Sequence, residues 1–437
     1  MKKRVFFILL IGILSFGLKE VYASNVVTPS TDIMHVLTTT RGNAILLESE
    51  GKYALMDIGD QGSSEVKCMN FYKEIKHVIG EEGTLDYIIL SHTHKDHTRC
   101  LKTILEGYTD NKGNHSGIPT KNLIMKYYYK SQNKDTTDYD VRDKFLEFRT
   151  LAKNAGTTFY AIRSTDKEKI ENNHFYLVDA NNQEISPNKD MKFLDYEKDW
   201  NKSYLNLKVG HYNLYLFNLP QRFTESDNYN SLVVYGEING YKIYIGGDIE
   251  NARTTMKDNT TVSAYDDIDL YYYSQDKKRI FGIGSFRLAD FYAQYIHNQF
   301  SKGKVNVYVA GHHGATNGTT TSIARRLIKK STKIIYTTSY EYLNSKYSYG
   351  EILRNDGRCE DVTGVERHRC QNDKSVNRII YALSKRQPQE TSEVTIFHTS
   401  TNKVLRIGFN TVFDSGAKRL GVSGPRTIYQ YNSKIKR

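Results

Sequence analysis

The sequence predicts an α/β protein with two β-sheets held between helical layers. Short apolar strands alternate with helical stretches along its 437 residues. A set of strand, hairpin and helix recurs in each half, without a visible sequence repeat. Hydrophobic residues make up 39% and charged residues 25%, enough to bury a sizeable core. That balance excludes fibrous, collagen-like and globally disordered chains. Four cysteines are too few for a disulfide-built scaffold.

The elements follow in order. A strand is expected at 33–37, and 43–48 and 53–57 alternate as a hairpin around the turn 49–52. Residues 66–79 read as a helix, 87–90 as a fully apolar strand and 99–105 as a second helix. A strand at 123–129, a helix at 141–155 and a strand at 158–162 complete the first half. Residues 172–201 are polar and irregular, an inserted excursion. Strands resume at 205–209 and 213–218, and 231–237 pairs with 241–246 around Asn239-Gly240, a strong hairpin signal. A helix at 286–300, strand 305–310, helix 322–330 and strand 334–338 follow. Strands 395–398 and 404–407 close the ordered part.

The ends carry most of the charge. Of the formal +12, residues 1–23 hold +3 and the segment after Asp414 holds +6, leaving a body of only +3. Lys2-Lys3-Arg4, a short apolar stretch from Val5 to Gly17 and Val21-Tyr22-Ala23 read as a secretory signal cleaved after Ala23. The apolar stretch is shorter than the ~20 residues of a comfortable span. The expectation is an exported protein, secreted or wall-associated, with no stable membrane insertion after cleavage. The division expected is signal 1–23, one domain at 24–414 and a solvated basic tail at 415–437. Export permits disulfides. Cys359 and Cys370 would close a short loop; Cys68 and Cys100 would then pair, or Cys100 is a buried thiol.

The chemistry sits at strand ends. After strand 87–90 comes Ser91-His92-Thr93-His94-Lys95-Asp96-His97, three imidazoles and a carboxylate within six residues. Imidazole and carboxylate are borderline ligands suited to zinc. The spacing aims His92 and His94 at one ion, and Asp96 and His97 at a second. Ile243-Tyr244-Ile245-Gly246-Gly247-Asp248 ends an apolar strand in two glycines and an acid able to bridge two metals. Val307-Tyr308-Val309-Ala310-Gly311-His312-His313-Gly314 repeats the device with a histidine pair. Asp57 reads as a carboxylate orienting histidine ligands or as a turn-forming acid. His35, His77, His115, His297, His368 and His398 lie outside these loops.

This order of motifs resembles the metallo-β-lactamase superfamily, over residues 33–410. Asp227-Asn228-Tyr229-Asn230-Ser231-Leu232 and Lys242 to Ile249 resemble secreted phosphorylcholine esterase modules; competence-type DNA-uptake metallo-domains share the Asn-Ser-Leu and Gly-His-His-Gly elements. The resemblance implies a four-layer αββα sandwich with two zinc ions per chain. It departs at Thr98-Arg99-Cys100, where many members have glycines, and in lacking choline-binding repeats. A third histidine ligand, common in the superfamily, has only His174 and His211 as candidates. The implied ligands are His92, His94, Asp96, His97, Asp248 and His313. The implied catalytic groups are Asp96, which accepts the proton of a metal-bridging water, and His312, which donates to a phosphoryl oxygen. The roles of His312 and His313 could be exchanged.

The expected activity is cleavage of phosphodiester or phosphorylcholine-type esters by a metal-bridged hydroxide. The substrate would be a small anionic ester or a wall polymer. Three other readings stay open: an extracellular nuclease with nucleic acid held by the basic tail, a lactone or β-lactam hydrolase, and a metal-stabilised wall-binding protein.

Overall fold

The structure, a computed structural model, describes residues 26–28, 31–62, 64–126, 141–163, 191–195, 204–217, 227–251, 254–255, 261–262, 288–301, 304–339, 364–384, 388–389, 391–400, 403–413 and 418–430. The signal at 1–23, Cys359, His174 and most of the 172–201 and 250–285 stretches lie outside them.

Side-chain alternation along the strands sorts the apolar residues into three layers. Ile45 and Leu47 point inward with Met56 and Ile89, and meet Ile243, Ile245, Val309 and Ile335 from the other sheet. Leu46, Leu55, Ile88 and Leu123 point the other way, onto Phe71 and Ile75 of helix Glu65–Ile79 and Phe145 of helix Val141–Asn154. On the far side Tyr244, Tyr308, Ile334 and Tyr336 cover Tyr292, Ile323 and Ile380. These three belong to helices Leu288–Ile296, Thr321–Leu327 and Gly364–Leu383. Both faces of the central strands are buried, which is why those strands read as continuous apolar runs. The architecture is the expected αββα sandwich.

The first sheet has ten strands, in the order Val26–Thr28, Leu405–Phe413, Asp32–Val36, Ile45–Ser49, Lys52–Met56, Leu85–Ile89, Thr120–Lys126, Thr158–Arg163, Met191–Asp195, with Lys418–Ser423 paired to Leu405–Phe413. The second has eight: Tyr204–Val209, Tyr212–Phe217, Val233–Ile238, Tyr241–Ile245, Val307–Val309, Lys333–Ser339, Glu393–Thr399 and Arg426–Gln430. In each sheet an antiparallel hairpin hands over to parallel strands: Lys52–Met56 to Leu85–Ile89, and Tyr241–Ile245 to Val307–Val309. The loops leaving the carboxyl ends of these parallel strands therefore gather at one end of the sandwich.

Several expectations change. The segment 415–437 is not simply a solvated tail: Lys418–Ser423 adds to the first sheet and Arg426–Gln430 to the second. Its backbone supplies ladder hydrogen bonds, and its strand alternation is masked by its charge. The helix expected at 99–105 is two short pieces, Lys95–Thr98 and Leu101–Glu106. A small hairpin, Gly107–Asp110 with Gly113–Ser116, and the polar helix Gly364–Leu383 have no counterpart in the sequence reading. Cys68 and Cys100 form a disulfide, so Cys100 is not a thiol. No helix among the described residues is long and apolar enough to cross a membrane.

His211 lies at the opposite end of the sandwich from those loops. It forms, with Gly210, the turn between Tyr204–Val209 and Tyr212–Phe217, where its Nδ1 is 3.0 Å from Asp32 Oδ1 and its Nε2 is 3.0 Å from Glu50. It is not a ligand candidate at the site below. Ser49 Oγ and Asn239 Nδ2 also donate to Asp32, so one carboxylate of the first sheet collects turns of the second.

Candidate metal centre

The first ligand loop is anchored before it turns. Leu90 N donates to Ile124 O, keeping the loop in register with the sheet. Leu232 N donates to Ser91 O from the other sheet. Asp227, buried in the 3-10 turn Asp227–Asn230, accepts from Thr93 N (2.8 Å) and Thr93 Oγ1 (2.6 Å). Asn230 Nδ2 donates to Asp227, and Lys126 Nζ donates to Asn230 Oδ1. His92 and His94 therefore leave a fixed backbone on either side of Thr93. Gly59 packs behind the short helix Lys95–Thr98, where a Cβ would sit 2.4 Å from the backbone of Asp96 and His97. Only glycine allows that approach.

Asp57 is the central brace. It is fully buried in left-handed backbone, φ +56°. Its carboxylate accepts from Ser91 N (2.7 Å), Ser91 Oγ (2.8 Å), Asn43 Nδ2 (2.8 Å) and His97 Nδ1 (2.8 Å). It is the orienting carboxylate of the two readings that the sequence allows. With Nδ1–H given to Asp57, His97 presents Nε2 to the site.

The second and third loops meet this one. Asp248 follows Gly246-Gly247, and Gly246 must be glycine because a Cβ there would lie 2.7 Å from Gly311 Cα. His312 N donates to Gly247 O, pinning the two loops together. His312 and His313 both adopt left-handed backbone, φ +51° and +52°. Such strain, held by surrounding structure, concentrates at functional sites. The His313 Nδ1 lies 2.9 Å from Thr337 Oγ1, and its Nε2 is 3.3 Å from Asp96 Oδ2 and 3.4 Å from Asp248 Oδ2.

The result is two donor groups. Ligand atoms of Asp96, His97, Asp248 and His313 lie within 4.8 Å of one another, as do those of His92, His94 and Asp248. Asp248 belongs to both. All six residues named as ligands in the sequence come together here. His312, named as a catalytic group, stands at the edge, 17% exposed. His211 does not join them, and His174 lies outside the described residues.

The donor set fits cations. His92 Nε2, His97 Nε2 and Asp248 Oδ1 are buried without a hydrogen bond. His97 Nε2 and Asp248 Oδ1 nevertheless face each other at 3.0 Å, so ligand atoms converge on one space. Burial and the charges of His97 and His94 push the His92 pKa well below its usual value, leaving it a neutral donor. Burial opposes charge on His97, but the Asp248 and Asp57 carboxylates outweigh it and raise its pKa. Burial likewise opposes charge on Asp248, and His313 and His97 outweigh it, keeping Asp248 a carboxylate. Cations would replace these mutual interactions. Nitrogen and oxygen donors in this mixture suit zinc, iron or manganese.

Three neighbours escaped the sequence reading: Glu250, Asn317 and Thr337. Glu250 stands only two residues past Asp248, but nothing in its spacing marks it. Asn317 and Thr337 come from segments whose sequences carry no ligand pattern.

No family model matches this sequence, and no curated protein matches it. Among solved structures, the chain is similar to human tRNase Z, short form, at 14% identity and a TM-score of 0.30, over 64% of this chain and 77% of that one. It is also similar to YhfI, a metallo-β-lactamase fold protein from Bacillus subtilis, at 9% identity and a TM-score of 0.30, over 70% and 85%. A third is CmlA, a diiron β-hydroxylase from Streptomyces venezuelae, at 11% identity and a TM-score of 0.29, over 66% and 36%. At such scores the strand order and layers, not the likeness, establish the architecture.

Proposed function

We propose that the protein is an exported, metal-dependent hydrolase of phosphodiester-type esters, phosphorylcholine esters included, with zinc as its metal. The observation that carries the reading is Asp248, shared by two donor groups at the mouth of the parallel strands. Two divalent cations bound there would supply Lewis acidity and a nucleophile at neutral pH. Asp248 would hold both ions, with His92 and His94 on one and Asp96, His97 and His313 on the other. Asp96 is the more exposed acid, 17% against 3% for Asp248, which places it at the mouth to receive a proton, although His313 and His97 outweigh burial and hold its carboxyl well below the usual range. His312, outside both groups and partly exposed, would donate to a phosphoryl oxygen.

A nuclease is the second reading. Lys95, Arg99, Lys102 and Lys144 line a 240 Å³ recess beside the ligand-bearing helix, together with Glu147, which pairs with Lys144. Cations in that row favour a substrate with successive phosphates.

The test uses the purified chain without residues 1–23, its metal content counted on the same sample. Bis-p-nitrophenyl phosphate, p-nitrophenyl phosphorylcholine and single-stranded DNA are assayed side by side. Turnover of the small esters with about two zinc ions per chain, lost in His94→Ala, supports the first reading. Cleavage of DNA alone moves the assignment to the nuclease. Full metal loading without turnover of any of the three removes both.

A further inference from the structure

His312 is held by groups that belong to neither donor set. Its Nδ1 lies 2.9 Å from Glu250 Oε2 and 3.0 Å from Asn317 Oδ1. Both partners are acceptors, so Nδ1 carries the proton. Asn317 Nδ2 donates to the same Glu250 oxygen, and this decides which end of the amide faces the imidazole. Glu250 is 5% exposed and Asn317 2%, so water does not compete for these bonds. Asn251 N donates to Asn317 O at 2.9 Å, tying together the two loops that carry the pair. With Nδ1 committed, Nε2 faces Asn228 Nδ2 at 3.5 Å, across the mouth of the site.

We propose that Glu250 is a positioning residue: with Asn317 it holds the His312 ring through its Nδ1–H, so that the Nε2 edge is turned, beside Asn228, into the mouth where an ester would bind. The inference rests on the hydrolase reading for its purpose, but its geometry stands on the contacts above. A side chain in left-handed backbone next to His313 has its χ angles set by what it bonds. Glu250 is what it bonds. A carboxylate in this position also fixes the orientation of the ring, as outer partners of metal-bound histidines do.

The experiment compares the metal-loaded protein with Glu250→Ala and Glu250→Gln. Three quantities are read on each: the nitrogen-15 spectrum of labelled histidine, kinetics on bis-p-nitrophenyl phosphate, and metal content. The His312 signal is identified with His312→Gln. The expected result is a slowly exchanging Nδ1 proton on His312 in the wild type, lost in Glu250→Ala. kcat then falls about 10- to 100-fold, with KM and metal content holding within about twofold. Glu250→Gln keeps an acceptor oxygen without the charge, folds isosterically and falls between. An Nδ1 proton that survives in Glu250→Ala overturns the proposal. So does activity that falls only in step with metal content. If the wild type loads metal but turns over no phosphodiester, the functional reading fails alone, and the His312 spectrum still decides the role of Glu250.

Discussion

Asp57 shows how one side chain governs the centre without belonging to it. Four donors converge on its carboxylate, from three residues, Asn43, Ser91 and His97. Asp57→Asn replaces one acceptor oxygen by an NH2 that faces a donor. A buried polar group left unsatisfied in this way costs about 1–3 kcal/mol. It also releases the His97 ring from its orientation. The expected outcome is a loss of metal affinity of roughly 10- to 100-fold, measured by titration against a competing chelator. Unchanged affinity would show that the ring is held by packing alone. At this scale the sequence was informative about ligands and silent about braces. Imidazoles at short spacing in one loop are visible because their chemistry is rare. Asp57 was legible only as one of two alternatives, and Glu250 not at all, since an acid two positions from a ligand has no spacing that marks its direction.

Among elements, the helix pieces Lys95–Thr98 and Leu101–Glu106 matter most. The break between them places Cys100 against Cys68 of helix Glu65–Ile79, three residues beyond His97. Cys100 N also donates to Ile58 O, while Ile58 N donates to His97 O. The covalent link thus fastens the ligand loop to the outer helical layer. Closing a loop with a sequence separation of 32 contributes roughly 3–4 kcal/mol by the chain-entropy estimate. Cys68→Ser with Cys100→Ser is expected to lower Tm and to speed metal loss to a chelator, both followed on one sample. A lower Tm with unchanged metal release would confine the disulfide to global stability. The sequence left this pairing open because proximity of two cysteines 32 apart depends on how a helix packs, which spacing does not reveal.

For the whole molecule, the joining of the two sheets decides whether three loops can share one site. At the end remote from the centre, Asp32 of the first sheet accepts from His211 and Asn239 of the second. The hydrogen bond to Asp32, against a smaller loss from desolvation, raises the His211 pKa above its usual 6.5. A raised folded-state pKa means stabilisation that is fully present below the unfolded value and lost as pH rises through the folded one. The gap in Tm between wild type and His211→Gln should therefore be open at about pH 6 and close at higher pH. A gap that is constant with pH would mean that the pair acts as a neutral hydrogen bond.

The sequence by itself determined the α/β class, the hairpin in each half and the six residues that gather in the two donor groups. These follow from local facts: residues alternate on a strand, an apolar run is buried, and a glycine lets a loop turn sharply after it. Only the tertiary structure decided that His211 sits at the far end and that the basic C-terminal segment lends a strand to each sheet. It alone brought Glu250 and Asn317 to His312. The reason is that such partners are set by the packing of two sheets face to face. That packing depends on the sum of many apolar contacts, no one of which leaves a pattern in its own stretch of chain.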